Sequence, residues 1–199
     1  MTKQKRKKKT LLAIHRCRGG NFSSRRRLQK IYQLCRTASK EKRHKFCPSG
    51  CLGCGDCVAA CPEAAITMEI KLLPQIDREK CIGCGKCVKA CPRNIIVLRD
   101  QKEIVHILCL STQSPQDQKR VCHLGCDGCK RCEIACPCGS ITVRDNLAVI
   151  TRQTCINCGL CAEWCPQRCI QFNSRSGAFN ISNPLADVKT GEENAGRKP

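Results

Sequence analysis

The chain has 199 residues, 23 of them Cys, and a formal charge of +20 from 36 Lys and Arg against 16 Asp and Glu. Its aromatics are four Phe, one Tyr and one Trp, and once Cys is set aside the apolar remainder is thin for one ordinary core. No apolar run approaches the ~18 residues of a membrane helix, and no secretory signal is read, because the early cations lead only into Leu11–Ile14 before Arg16. An odd number of bunched Cys favours thiolate-bound metal in a reducing compartment over disulfides.

Residues 1–46 carry 17 Lys and Arg against one acid, Glu41, while residues 47–199 carry 19 against 15. The first stretch therefore reads as a basic arm on a nearly neutral body. Within it, Leu28, Ile31, Tyr32 and Cys35 recur at helical spacing and predict one amphipathic helix after Ser23 and Ser24.

The body repeats itself. Cys51, Cys54, Cys57 and Cys61 with Pro62 form the first unit; Cys81, Cys84, Cys87 and Cys91 with Pro92 the second. Cys126, Cys129, Cys132 and Cys136 with Pro137 form the third, and Cys155, Cys158, Cys161 and Cys165 with Pro166 the fourth. Cys47-Pro-Ser-Gly-Cys51 is echoed by Cys122-His-Leu-Gly-Cys126, so a two-motif module is duplicated. Each Cys-Pro leads into a short β-like run, such as Ala65–Met68 or Ile95–Leu98, and small hairpins are predicted. Val58–Ala60 and Val88–Ala90 suit single helical turns. Residues 111–119 read as an exposed inter-module loop, and residues 174–199 as a disordered tail.

The run C-x2-C-x2-C-x3-C-P is the bacterial ferredoxin signature. Three closely spaced thiolates cap one cubane, and the fourth Cys, before Pro, ligates the partner cluster. The expected sets are Cys51, Cys54, Cys57 with Cys91; Cys81, Cys84, Cys87 with Cys61; Cys126, Cys129, Cys132 with Cys165; and Cys155, Cys158, Cys161 with Cys136. Four [4Fe-4S] clusters follow. Tandem C-x2-C pairs also occur in zinc ribbons, but four complete copies with Pro argue against zinc. Cys47-x3-Cys51-x2-Cys54 and Cys122-x3-Cys126-x2-Cys129 match the radical-SAM spacing, yet no room exists between the motifs for the barrel that chemistry needs.

Cys17, Cys35, Cys47, Cys109 and Cys122 lie outside the motifs and read as buried thiols or alternative cluster ligands, with a further metal the lesser reading. Cys138 and Cys169 read as small packed residues. The fold class is α+β: two tandem bacterial-type two-cluster ferredoxin modules, residues 47–108 and 109–173, behind the arm 1–46 and before the tail 174–199.

Several blocks carry a family resemblance: Arg16-Cys17-Arg18-Gly19-Gly20, Tyr32 with Cys35, Cys47-x2-Gly-Cys51-Leu52-Gly53, Gly55-Asp56-Cys57, Cys91-Pro-Arg-Asn-Ile-Ile96, Leu108-Cys109 and Asn146-Leu-Ala-Val-Ile150. On these the chain resembles the cytoplasmic part of the B subunit of the Rnf electron-transport complex, an ion-translocating ferredoxin:NAD oxidoreductase. Members usually begin with a membrane helix and an extra cluster module, where this chain has a Lys-rich start. Members also often have a non-Cys residue where Cys54 stands, which implies Cys47 as an alternative ligand of the first cluster; Cys122 is its counterpart.

The resemblance and the motifs together imply an electron carrier without substrate chemistry of its own, or a subunit of an oxidoreductase complex. No catalytic residue is assigned. No G-x-G-x-x-G after a strand and no P-loop is present, so nicotinamide or flavin chemistry belongs to a partner chain. The arm suits peripheral contact with acidic lipid on the inner face of the membrane, or with an acidic partner, of a cytoplasmic protein. Nucleic acid is the alternative partner and the weaker one, because base-stacking aromatics in the arm are few.

Overall fold

The computed structural model describes residues 10–19, 26, 33–40 and 47–173. In chain order the elements are β1 (Leu11–His15), α1 (Cys35–Ala38), α2 (Asp56–Ala59), β2 (Ile66–Met68), β3 (Pro74–Ile76), α3 (Lys86–Ala90) and β4 (Ile96–Asp100). Then follow β5 (Val105–Ile107), α4 (Pro115–Val121), α5 (Arg131–Ile134), β6 (Ile141–Arg144), β7 (Leu147–Ile150), α6 (Leu160–Glu163) and β8 (Ile170–Phe172). The amphipathic helix expected after Ser24 falls mostly outside the described residues; α1 begins at Cys35, its last expected position. The tail 174–199 lies outside them too.

Among the described residues the strands form four antiparallel pairs. β2 with β3 and β6 with β7 are the hairpins that follow the first and third motifs. The other two pairs close each module end to end. β1 pairs with β4 over Leu11↔Asp100 to His15↔Ile96, and β5 pairs with β8 over Val105↔Phe172 to Ile107↔Ile170. The strands therefore run across the expected boundaries: Leu11–His15 lies in the arm by sequence but pairs inside module one, and Val105–Ile107 pairs inside module two.

The duplication extends to single hydrogen bonds. Arg16 N donates to Ile95 O at 2.7 Å and Leu108 N to Cys169 O at 2.7 Å; Gln101 N donates to Thr10 O and Asn173 N to Ile104 O. This register makes Cys17, two residues after β1, the counterpart of Cys109, two residues after β5.

Each module has its own core. Leu12, Ala13, Ala65, Ile66, Ile95 and Ile96 pack with Cys51, Cys81 and Cys87. Val105, Ile107, Ile141, Ala148 and Ile170 pack with Cys126, Cys132 and Cys161. In both, cysteine fills positions that aliphatic side chains would hold in a larger core. Residues 111–119 are not a plain loop. Ser114 caps a helix by accepting from Asp117 N at 3.2 Å, Pro115 sits in its first turn, and Gln118 is 1% exposed.

The modules meet through arginines. Arg16 donates from Nε to Ile107 O at 3.2 Å and from Nη2 to Cys109 O at 3.3 Å. Glu103, in the join, pairs with Arg152 at 3.1 Å and Arg99 at 3.8 Å, and Arg152 Nη1 donates to Val105 O at 2.6 Å.

Candidate iron–sulfur centres

Each motif makes the same loop. A tight turn between the first and second Cys ends in a left-handed residue at Gly53, Gly83, Gly128 and Asn157. A second left-handed residue starts the helical turn that carries the third Cys: Gly55, Gly85, Lys130 and Gly159. A third stands two residues after each Pro, at Ala64, Asn94, Gly139 and Arg168. The loops thus wind the first three Cys of each motif into one compact turn, and the Pro sends the chain away toward the partner motif.

The cysteines of the second and fourth sets each line a cavity of their own. Cys61, Cys81, Cys84 and Cys87 line one cavity of about 330 Å³. Cys136, Cys155, Cys158 and Cys161 line another of about 310 Å³. In the third set, burial and then Cys126, Cys165 and Cys129 push the Cys132 thiol up to about 12. Cys169, 1% exposed, lies 3.6 Å by Sγ from Cys165, and its hydrogen bonds hold Cys126 at about 6 and Cys165 at about 7.

The first set departs from expectation. Its cavity, about 370 Å³, is lined by Cys51, Cys57, Cys91 and also Cys35. The Cys54 thiol bonds to Cys35, which draws Cys35 down to about 7 and pushes Cys54 up. Asp56 brings Cys35 here: its carboxylate accepts from Cys35 N at 2.8 Å, and Ala38 packs on Leu52 below the loop. Cys35, and not Cys47, is the further cysteine that lines this cavity. Cys47 and Cys122 line a different cavity, because the turns Cys47–Gly50 and Cys122–Gly125 face each other across the module seam. Cys35, 16 residues before Cys51, is one of five outlying cysteines that the sequence offers as buried thiols or alternative ligands; the fold of α1 onto the loop is what places it at the first set.

The donor chemistry fits iron–sulfur clusters. Burial first, and the neighbouring thiolates after it, push Cys57 and Cys161 up to about 12. Four such thiolates repel one another, and a metal core supplies the positive charge that binds them and releases their protons. Backbone N–H groups already point at sulfur: Ala65 N donates to Cys61 Sγ and Ser140 N to Cys136 Sγ, each at 3.3 Å. A tetrahedral zinc site needs sulfurs about 3.8 Å apart, given Zn–S near 2.3 Å. Among the described residues no three His, Cys, Asp or Glu are gathered closely enough for a single ion.

Residues 50–95 and 73–137 each match a 4Fe-4S dicluster domain. The two stretches overlap and take in the first three motifs; the fourth repeats their spacing at Cys155–Pro166. The chain is of mixed helix and strand, and its two 4Fe-4S dicluster domains imply four [4Fe-4S] clusters.

Its similarity to the B subunit of Rnf complexes holds in curated relatives. It is 37% identical over 128 residues to the B subunit of the ion-translocating oxidoreductase complex of Methanosarcina acetivorans, covering 64% of this chain and 48% of that one. It is 40% identical over 133 residues to the B subunit of the Na(+)-translocating ferredoxin:NAD(+) oxidoreductase complex of Acetobacterium woodii, covering 67% and 40%. Against the B subunit of the proton-translocating ferredoxin:NAD(+) oxidoreductase complex of Clostridium ljungdahlii the identity is 43% over 129 residues, covering 64% and 45%. The chain thus spans less than half the length of these relatives. A solved chain from the formate dehydrogenase, heterodisulfide reductase and formylmethanofuran dehydrogenase complex of Methanospirillum hungatei aligns at 23% identity, covering 62% and 52%, with a TM-score of 0.24, too loose a likeness to bear on function.

Proposed function

We propose that the chain is an electron-transfer polyferredoxin, relaying single electrons through four [4Fe-4S] clusters to or from a redox partner in an Rnf-B-like oxidoreductase complex. The observation that carries this reading is the crossing of the Cys-Pro thiol into the partner set. Cys61 stands with Cys81, Cys84 and Cys87, and Cys136 with Cys155, Cys158 and Cys161. When bound, the clusters supply one-electron redox chemistry and nothing else. The sixteen motif cysteines hold them, with Cys35 competing with Cys54 at the first.

The protein's own contribution is position and electrostatics. Ala65 and Ser140 donate N–H groups to the crossing sulfurs and so stabilise added negative charge. Cys84, Cys129 and Cys158 are exposed while Cys51, Cys81, Cys87, Cys126, Cys132 and Cys161 are buried. The second cysteine of each of these loops therefore marks where a partner approaches, and the buried ones keep water from the core. No helix among the described residues is long and apolar enough to cross a membrane. In this reading the chain sits at the inner membrane face, its basic arm on acidic lipid or an acidic partner.

Anaerobic reconstitution of the full chain tests this. Expected are at least about 16 irons and as many sulfides per chain, with spin-coupled signals on one-electron reduction. Zinc in their place, or iron far below that number, overturns the reading.

A further inference from the structure

Four cysteines outside the ferredoxin motifs meet at the seam between the modules. Cys17, Cys47, Cys109 and Cys122 line one cavity of about 470 Å³, together with Arg16 and Arg18. We propose that these four thiols hold a fifth [4Fe-4S] cluster, shared between the two modules.

The site is built by the duplication itself. Cys17 follows β1 as Cys109 follows β5, in the same register of the same strand pair. Cys47 opens the turn closed by Gly50 N to its carbonyl at 3.0 Å, and Cys122 opens the turn closed by Gly125 N at 3.4 Å. Each module thus contributes an equivalent pair, and neither module alone has four donors. Both glycines are confined. A Cβ at Gly50 would stand 3.3 Å from Cys47 Cβ, and one at Gly125 would run into Gln118 Nε2.

The sulfurs are prepared as those of the motif sites are. Cys51 N donates to Cys17 Sγ at 3.4 Å. Backbone N–H groups of Ser49, Ser111 and Leu124 reach Cys47, Cys109 and Cys122. All four thiols line the same cavity, two contributed by each module. Charge is matched as well. Arg16 is fixed on Cys109 O, Arg18 lines the cavity, and Arg93 Nη1 donates to Cys47 O at 3.4 Å. These cations offset the negative charge that four thiolates leave on a cubane.

The position gives the site its use. Cys51 lines both this cavity and that of the first cluster, and Cys126 N donates to Cys109 on the side of the third. The fifth cluster stands between the two dicluster halves and makes one continuous chain of centres. One electron passed along it reduces each centre by one and oxidises its donor by one.

The proposal rests on the cluster chemistry of the proposed function, but its failure is separable from that reading's. The full chain is reconstituted anaerobically with iron salts and sulfide, then weighed by native mass spectrometry and assayed for iron, sulfide and zinc. Expected are about 20 irons and 20 sulfides in the wild type, and about 16 of each in C47S/C122S with the other clusters' spectra retained. A wild-type count of about 16 overturns the fifth site, as does zinc held beside 16 irons or a variant that keeps 20. A wild-type count far below 16 overturns the four-cluster reading instead. If the variant fails to fold, the wild-type mass still decides between four cubanes and five.

Discussion

Two residues show how the loops constrain their side chains. At the position that starts the third-cysteine turn, three motifs have Gly and the third has Lys130, at φ +59°. A left-handed non-Gly residue costs about 1–2 kcal/mol, part of which a flexible Gly would lose again in the unfolded chain. Lys130→Gly is expected to raise the unfolding free energy of the loaded protein by up to about 1 kcal/mol, read from denaturant unfolding. Gly83 is the opposite case: it is left-handed, and an added Cβ would strike the Leu11 carbonyl. Gly83→Ala is expected to destabilise by about 2–4 kcal/mol and to loosen β1 in hydrogen exchange. Cys35 offers a test at the first cluster. Because it lines the cavity that Cys54 leaves, Cys54→Ala is expected to keep its iron, and C35A/C54A to lose about four irons. Iron loss in Cys54→Ala alone would show that Cys35 does not substitute.

At the scale of elements, β1 is the piece whose placement sequence reading missed. Leu11–Ile14 looks like the apolar end of a basic segment. Its partner strand lies some 80 residues away, and no local pattern announces so distant a pairing. Leu12 is 4% exposed and Ala13 2%, so this short strand is core and not arm. Leu12→Ala is expected to cost about 2–4 kcal/mol in denaturant unfolding. Deleting residues 2–9 should leave stability unchanged while weakening retention on anionic vesicles at low salt, by about 1 kcal/mol per lost cation. Equal retention of both forms would make the basic segment inert toward lipid. The elements next to the motifs were legible, because C-x2-C-x2-C-x3-C-P dictates loop, turn and following strand together. The α4 helix was not, since its Ser114-Pro115 cap lies in a run of polar residues that reads equally well as loop.

For the whole molecule, the seam is both the least legible region and a pH-sensitive one. The grouping of Cys17, Cys47, Cys109 and Cys122 depends on two modules docking, which spacing along one chain does not encode. Nearby, His106 is 2% exposed. Burial first, and then Arg152, Arg78 and Arg99, hold it down at about 4, against a weaker opposing pull from Glu103. The unfolded chain takes up this proton near 6.5 and the folded chain does not. The neutral form's stability is therefore full above about pH 6.5 and falls as the pH drops toward 4. The loss is on the order of 3 kcal/mol. Subtracting the stability profile of His106→Leu from that of the wild type should isolate this slope. A flat difference between pH 6.5 and 4 would mean that His106 titrates normally in the fold.

The pairing of β1 with β4 also bears on how the chain is made. β1 leaves the ribosome first and waits for residues 96–100, an interval of roughly 4–16 s at 5–20 residues per second. Through that time Leu11–Ile14 is an unpaired apolar strand beside a growing stock of free thiols. Lys7, Lys8 and Lys9 stand one residue ahead of it, where like charges on neighbouring chains keep such strands apart. The lysines thus act as gatekeepers during synthesis, whatever they bind afterwards. The thiols of the seam come together only when residues from both halves meet.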